Sequence, residues 1–184
     1  MLGAAVEAAW VAPRILVAGL GMGFTLRAVL DKAGPNCEVV VCELLPSVVR
    51  WNRGIVGQLA GRPLDDPRVI VAEGDAATFL QQTERTFDVI LLDTDNGPDW
   101  VMREGNESIY STTGLKLVVQ RLRTGGFASY WSSGFSPGFE ARLTQLAVPW
   151  CAGCIQIDEQ AHDAFHVIYY VGRDSVPEGV SGMS

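Results

Sequence analysis

The stretch RILVAGLGMGFTLRAVLD, Arg14 to Asp31, decides how this chain folds. It passes from an apolar run, through glycines at every second position, into a helical pattern of apolar residues. A short continuous apolar run is typical of a strand buried on both faces, and glycine permits a tight turn with positive φ. The stretch therefore predicts a strand, a bare turn built on Gly19, Gly21 and Gly23, and a helix that starts at the turn.

Composition places the whole chain among ordinary globular proteins. It has 184 residues, of which 48% are hydrophobic and 19% charged, enough for one domain with a sizeable core. We predict a single domain over 1–184, with 1–13 as an N-terminal extension and 173–184 as a frayed tail.

The net charge and the lengths of the apolar runs argue against two classes of partner. The net charge is −7 and the chain has no cluster of lysines and arginines, which argues against a nucleic-acid partner because phosphate binding needs a basic surface. No apolar run reaches the roughly 20 residues that a membrane span needs, and we expect no membrane partner. The start carries Glu7 and no basic leading region, so we do not interpret it as a signal peptide and expect a cytoplasmic protein with reduced cysteines.

Apolar segments alternate with amphipathic segments along the chain. This alternation predicts an α/β fold, a Rossmann-like, doubly wound and mostly parallel sheet with helices on both faces. The predicted strands are Ile15–Gly19, Glu38–Cys42, Val69–Ala72, Phe87–Asp93, Phe127–Trp131, Cys154–Ile157 and His166–Val171. The predicted helices are Phe24–Ala33, Ser47–Leu59, Ala76–Gln82, Thr112–Leu122 (ended by Gly125-Gly126) and Gly138–Ala147.

Polar or glycine-rich groups follow each of the first four strands. In a doubly wound sheet, ligands lie beyond the carboxyl ends of the strands. Glu43 ends the second strand, where a carboxylate can accept hydrogen bonds from vicinal ribose hydroxyls. Asp75 and Ala76 follow the third strand, where the acid can accept from an adenine amine and the backbone N–H of Ala76 can donate. Asp93 ends the fourth strand. The alternatives are a turn that binds nothing, a solvated acid at Glu43 and a simple helix N-cap at Asp75.

A nicotinamide or flavin dinucleotide is a further alternative. The spacing here is Gly-x-Gly-x-Gly, whereas dinucleotide binders use Gly-x-Gly-x-x-Gly. Phe24 stands where that fingerprint has a small residue, which weakens this interpretation.

The segments GLGMG, CELLPSVVRWNR, DDPRVIVAEGDAATFL and FDVILLDTDNGP together resemble the class I S-adenosylmethionine-dependent methyltransferase superfamily. Within it they most resemble the spermidine synthase-like branch, the polyamine aminopropyltransferases, over roughly Arg14 to Trp131. The resemblance implies a seven-stranded sheet with an antiparallel last strand. It implies S-adenosylmethionine or its decarboxylated form as co-substrate, no metal, a small-molecule acceptor such as an amine, and a homodimer.

The resemblance also implies roles for particular residues. Gly19, Gly21 and Gly23 would line the aminopropyl or amino-acid tail, Glu43 would hold the ribose, and Asp75 with Ala76 would hold the adenine. Asp93 would face the sulfonium, where an aspartate of the family helps to deprotonate the attacking amine, and Asp95 is the second catalytic residue of the expected pair.

The sequence departs from the family's pattern on the amine side. Spermidine synthases carry Asp-Ser/Thr-Ser/Thr-Asp-Pro after strand four, whereas Asp93 is followed here by Thr-Asp-Asn-Gly-Pro. Trp131 stands where they carry a glutamine, and only residues 1–13 precede strand one, where they have a β-hairpin domain. We therefore expect a transferase that moves an aminopropyl or methyl group to a small nucleophile. The alternatives are a methyltransferase of unknown acceptor and a non-catalytic nucleoside-binding homologue.

The cysteine spacing in the segment Trp150–Cys154 is similar to that of two other kinds of site. Cys151 and Cys154 have the spacing of a thioredoxin-type redox pair, and with His162 and His166 they imitate a Cys₂His₂ zinc site. β-prone residues follow Cys154, and the spacing to His162 is shorter than in standard fingers. Both interpretations are therefore disfavoured.

Overall fold

The computed structural model describes residues 11–94, 97–98, 107–156 and 165–177. The strands are β1 (Arg14–Ala18), β2 (Glu38–Glu43), β3 (Val69–Glu73), β4 (Phe87–Leu92), β5 (Leu122–Ser132), β6 (Trp150–Gln156) and β7 (Phe165–Gly172). The α-helices are α1 (Phe24–Lys32), α2 (Pro46–Arg53), α3 (Ala76–Gln82), α4 (Glu107–Tyr110), α5 (Thr112–Arg121) and α6 (Pro137–Gln145). Short 3₁₀ helices cover Val56–Ala60 and Pro63–Asp65.

The strands form one seven-stranded sheet in the order β3-β2-β1-β4-β5-β7-β6. Strands β1 to β5 pair in parallel, and β7 runs antiparallel to both β5 and β6. This confirms the predicted α/β sheet with an antiparallel last strand. The chain winds outward from β1 through β2 to β3, then crosses to β4 on the other side of β1. The switch point of the winding therefore lies between β1 and β4, where such folds bind ligands.

The sheet is buried on both faces. On one face, α1 and α2 contribute Leu26, Val29 and Val49 to a core with Ile15 and Val17 of β1. On the opposite face, helices α3 to α6 pack on alternate residues of the same strands, and their buried contributions include Leu80, Leu115, Val118, Phe139 and Leu143. This two-sided burial explains why the central strands are continuous apolar runs.

The predicted helix Ser47–Leu59 is wrong in its second half. Helix α2 ends at Arg53, and the chain then turns at Gly54 into the 3₁₀ helix Val56–Ala60. At Gly57 the backbone folds back so closely that a Cβ there would overlap the carbonyl oxygen of Asn52. The helical sequence pattern continues through this segment, but the backbone leaves the helical conformation at Gly54, with φ −98° and ψ −133°.

The glycine pair Gly125-Gly126 was predicted to end a helix, and this is wrong. Strand β5 begins at Leu122, directly after α5, and contains both glycines. The residues between Leu122, which pairs with Phe87, and Phe127, which pairs with Val89, form a bulge. Gly125 supplies the positive φ of +74° that this bulge uses.

The tail predicted from residue 173 begins with hydrogen bonds to the sheet. The backbone N–H of Arg173 donates to the carbonyl of Gly126 at 3.0 Å. Asp174 accepts from the backbone N–H of Gly125 at 3.1 Å. Residues 173 and 174 are thus tied to the bulge of β5, while 178–184 lie outside the described residues.

All four cysteines are free thiols. Cys151 and Cys154 lie in β6, which begins at Trp150 and not at Cys154 as predicted. Being three residues apart in a strand, they lie on opposite faces, and they pack against different cores. They cannot meet in one disulfide or at one metal ion, so neither imitated site forms. His162 and Ile157 lie outside the described residues.

In the described part of the chain, no helix has the length and apolarity to span a bilayer.

Arg68 fixes the C-terminal end of α1 to the sheet. Its guanidinium donates to the carbonyls of Leu30 and Ala33 at 3.0 and 3.1 Å. It also forms a two-pronged ion pair with Asp66, at 2.9 and 2.8 Å. This pairing holds the pKa of the Asp66 carboxyl at about 2. One planar side chain therefore satisfies carbonyls that a helix end leaves unpaired.

We expect Arg68→Ala to lower the free energy of unfolding by about 2 kcal/mol, because the freed carbonyls and Asp66 lose a charged donor. Urea denaturation measures the loss. Arg68→Lys should recover only part of it, since an ammonium lacks the guanidinium's fork.

The loss should shrink in acid. In wild type the carboxylate of Asp66 stabilises the fold above its ordinary pKa of 3.8, and this contribution disappears as the pH falls toward about 2. An equal loss at pH 7 and pH 2 would contradict the role assigned to the ion pair.

Candidate functional site

The carboxyl ends of β1, β2, β3 and β4 meet at one edge of the sheet. Backbone hydrogen bonds tie them together: the N–H of Gly19 donates to Cys42, that of Gly74 to Glu43 and that of Asp93 to Ala18, at 2.8, 2.9 and 2.9 Å. The structure thus brings together the glycine turn, Glu43, Asp75 with Ala76, and Asp93.

The glycine turn needs its glycines for two different reasons. Gly19, Gly21 and Gly23 have φ angles of +94°, +52° and +85°, a region that favours glycine. At Gly19 there is also no space, because a Cβ would overlap the carbonyl oxygen of Asp93. The turn therefore presents bare backbone, followed by the unpaired N–H groups at the start of α1.

Asn52 holds the turn from behind, and sequence reasoning missed it. Its side chain is 1% exposed. Its Nδ2 donates to the carbonyls of Gly21 and Val48 at 2.8 and 3.0 Å. Because Asn52 lies in a helical pattern between charged and aromatic residues, nothing in the sequence marks it as a support of the turn.

Glu43 is buried, not a solvated acid. It is 8% exposed, and its two carboxylate oxygens accept from the backbone N–H groups of Leu20 and Leu45 at 2.9 and 2.8 Å. The side chain therefore clamps the glycine turn to the end of β2. Each oxygen keeps a further lone pair, so the carboxylate can still accept from a hydroxyl group.

Asp75 begins α3 and caps it. Its Oδ2 accepts from the backbone N–H of Thr78 at 2.7 Å, which is the N-cap alternative raised from the sequence. The same side chain lines a cleft of about 490 Å³ between α3 and α5. The cleft is bordered by Leu44, Asp75, Ala77, Thr78, Gln81, Ser108, Ser111, Thr113, Gly114 and Leu117. Its walls are neutral and partly apolar except for Asp75, which suits a flat, uncharged ring with an amine group.

Cys42 supports the same corner without being reactive. Its Sγ donates to the carbonyl of Gly74 at 3.3 Å. Burial, with the nearby charges of Asp75 and Glu43, raises the pKa of the thiol to about 12. The thiol therefore stays protonated at neutral pH and acts as a hydrogen-bond donor.

Asp93 lies where the glycine turn meets β4. Its Oδ2 accepts from the hydroxyl of Thr25, near the start of α1, at 2.8 Å. Burial raises the pKa of the Asp93 carboxyl, and the hydrogen bond from Thr25 lowers it in part. A partly desolvated carboxylate beside a bare turn can stabilise a cation or accept a proton.

Trp131 of β5 and Tyr110 of α4 are aromatic residues with different surroundings. Trp131 is partly buried, with its ring centroid 4.7 Å from that of His166. Tyr110 is 2% exposed and packs against the rings of Tyr130 and Phe139. Tyr110 is thus a core residue whose hydroxyl lies 3.4 Å from that of Thr94.

Asp95, the second residue of the expected catalytic pair, lies outside the described residues. In the described ranges, no three His, Cys, Asp or Glu side chains group as a metal site.

Comparison with known proteins agrees with this geometry. Residues 4–133 match the spermine/spermidine synthase domain family. The chain belongs to the spermine/spermidine synthase family. This confirms the resemblance drawn from the sequence, and all four strand-end groups, the glycine turn included, lie inside the matched residues.

This chain covers only part of the length of individual relatives. A polyamine aminopropyltransferase of Korarchaeum cryptofilum is 28% identical over 121 residues, which is 66% of this chain and 36% of the relative. Polyamine aminopropyltransferase 2 of Pseudomonas aeruginosa is 30% identical over 126 residues, 66% of this chain and 34% of the relative. The chain therefore spans about a third of the length of these curated relatives.

Solved structures show the same fold. Spermidine synthase from Thermotoga maritima superposes with a TM-score of 0.66 at 16% identity, covering 88% of this chain and 54% of that one.

The close approach at Gly19 yields a prediction for this site. Gly19→Ala should lower the free energy of unfolding by about 3 kcal/mol, because it combines a strained φ with overlap on the Asp93 carbonyl. Urea denaturation measures this. Gly34→Ala is the matched control, since its Cβ would meet nothing within 4 Å. Equal effects of the two substitutions would contradict the close approach.

The buried carboxyl of Asp93 yields another prediction. Because burial raises its pKa above the ordinary 3.8, ionised Asp93 destabilises the folded state at neutral pH, and the penalty disappears as pH falls through the folded-state pKa. Asp93→Asn should therefore raise the melting temperature at pH 7, and the gain should shrink in acid. Asp75→Asn, which keeps the N-cap, is the control and should leave the melting temperature nearly unchanged. A lower melting temperature for Asp93→Asn would contradict the proposed desolvation.

Proposed function

We propose that this protein is an aminopropyltransferase that takes decarboxylated S-adenosylmethionine as the donor and a small amine as the acceptor. The observation that carries the proposal is Asp93, a partly desolvated carboxylate held directly beside the glycine turn in a domain of the spermine/spermidine synthase family. A sulfonium carries a positive charge, and an attacking amine must lose a proton. One carboxylate in that position can serve both needs.

The residues of the edge fit the parts of such a donor. The cleft beside Asp75 accommodates the adenine, with the backbone of Ala76 as donor. Glu43 offers its remaining lone pairs to the ribose hydroxyls. The turn Gly19–Gly23 presents bare backbone to the aliphatic tail, and at Gly21 a Cβ would meet nothing within 4 Å, which leaves open space there. When bound, the donor supplies the activated carbon; the protein aligns it and excludes water.

Methyl transfer from S-adenosylmethionine is the second candidate. It is favoured by Trp131, whose bulky ring, packed on His166, stands where the resemblance implies a glutamine in the amine pocket. The two candidates differ in the tail of the donor: a carboxylate is present in S-adenosylmethionine and absent from the decarboxylated form. We propose that no metal takes part in either reaction.

Titration calorimetry separates the candidates. We expect decarboxylated S-adenosylmethionine and methylthioadenosine to bind, and S-adenosylmethionine to bind at least tenfold more weakly. Preference for S-adenosylmethionine would favour the methyltransferase. Binding of NAD in place of all three would contradict the proposal.

A cleft-filling variant tests the adenine position. Thr113 is exposed and lines the cleft, so Thr113→Trp should weaken methylthioadenosine binding at least tenfold without touching the core. Lys116→Trp, on the same helix but away from the cleft, should bind as wild type does. Equal affinities of the two variants would contradict the assignment.

A further inference from the structure

Thr25 makes the two oxygens of Asp93 unequal. Its hydroxyl donates to Oδ2 at 2.8 Å, and Oδ1 makes no hydrogen bond to any described residue. Thr25 is the second residue of α1, two positions past the glycine turn. The donor of this hydrogen bond and the turn are therefore parts of one continuous backbone unit.

The backbone of Asp93 is fixed independently. Its N–H donates to the carbonyl of Ala18 at 2.9 Å, and its carbonyl oxygen lies against Gly19. The remaining freedom of the residue is rotation of its side chain, and the hydrogen bond from Thr25 selects one orientation. A carboxylate anchored through one oxygen presents the other in a defined direction.

Two effects act on the pKa of the Asp93 carboxyl in opposite directions. Burial raises this pKa, and the hydrogen bond from the Thr25 hydroxyl lowers it. Two other ionisable groups lie on elements that border this corner of the sheet, Glu43 at the end of β2 and Tyr110 on α4. Neither hydrogen-bonds to Asp93: Glu43 is held by backbone N–H groups, and the Tyr110 hydroxyl lies near that of Thr94.

We propose that Thr25 is a positioning residue that anchors Oδ2 of Asp93, so that Oδ1 accepts the proton from the attacking amine. This inference rests on the proposed function. As the amine nitrogen forms its bond to the donor carbon, the carbon–sulfur bond breaks and its electron pair neutralises the sulfonium to a thioether. The proton released by the nitrogen passes to Oδ1 and then to solvent, so charge and atoms balance.

The test compares a substitution that removes the hydroxyl with one that keeps it. Thr25→Val removes the hydroxyl and keeps the shape, and Thr25→Ser keeps the hydroxyl. In the ligand-free protein, a ¹³C NMR titration of the side-chain carboxyl follows Asp93 directly, with Asp93→Asn identifying its resonance. We expect the titration midpoint to move to higher pH in Thr25→Val and to stay at the wild-type value in Thr25→Ser.

A purely structural role for Thr25 predicts a different result. It would lower the melting temperature of Thr25→Val while leaving the Asp93 midpoint unchanged, and that outcome overturns the proposal. Thr25→Ala serves if the valine variant does not fold, since it also lacks the hydroxyl and should show the same upward movement.

Kinetics provides the second readout. In Thr25→Val, we expect the acid limb of kcat/KM against pH to move upward with the NMR midpoint, with kcat at pH 7 at least tenfold lower and KM for the donor unchanged. A higher KM for the donor with an unchanged kcat would overturn the proposal. If wild type turns over no donor at all, the proposed function fails, whereas an upward NMR midpoint would still show that Thr25 controls the Asp93 carboxyl.

Discussion

The close approach of Gly19 to the carbonyl oxygen of Asp93 is the contact on which the rest of the site depends. It is possible only without a side chain at position 19, and it brings the end of β1 against the end of β4 at the switch point of the sheet. The turn and the carboxylate are thereby built as one unit. Everything around them serves to hold that unit in place.

Three buried or part-buried polar contacts hold it. Glu43 clamps the turn to β2 through the backbone N–H of Leu20. Asn52 supports it from α2 through the carbonyl of Gly21. Thr25 ties the start of α1 to Asp93. These polar groups are largely shielded from water. In such surroundings a satisfied hydrogen bond fixes the geometry, and an unsatisfied donor or acceptor is costly. The site is consequently preorganised by residues that also stabilise the fold.

The sheet could be predicted from the sequence because its strands are buried on both faces and bounded by glycine, proline and charge. The four strand-end groups could be predicted as neighbours for a simpler reason: parallel strands end at the same edge. The errors occurred where glycines redirect the backbone. The chain turns at Gly54 and brings Gly57 back onto Asn52, where α2 ends early, and Gly125 forms a bulge within β5 where a helix end was expected. Asn52 and Thr25 could not be assigned from sequence, since their roles consist of contacts with residues 31 and 68 positions away.

The most direct test of the account is a two-dimensional NMR map of amide shifts on addition of methylthioadenosine, the nucleoside that aminopropyl transfer would release. We predict that the largest changes fall at Gly19–Gly23, at Glu43–Leu45 and at Gly74–Ala76, with little change along β6. Changes confined to other surfaces, or no change at millimolar nucleoside in folded protein, would contradict the assignment of the sheet edge as a site for a sulfonium nucleoside.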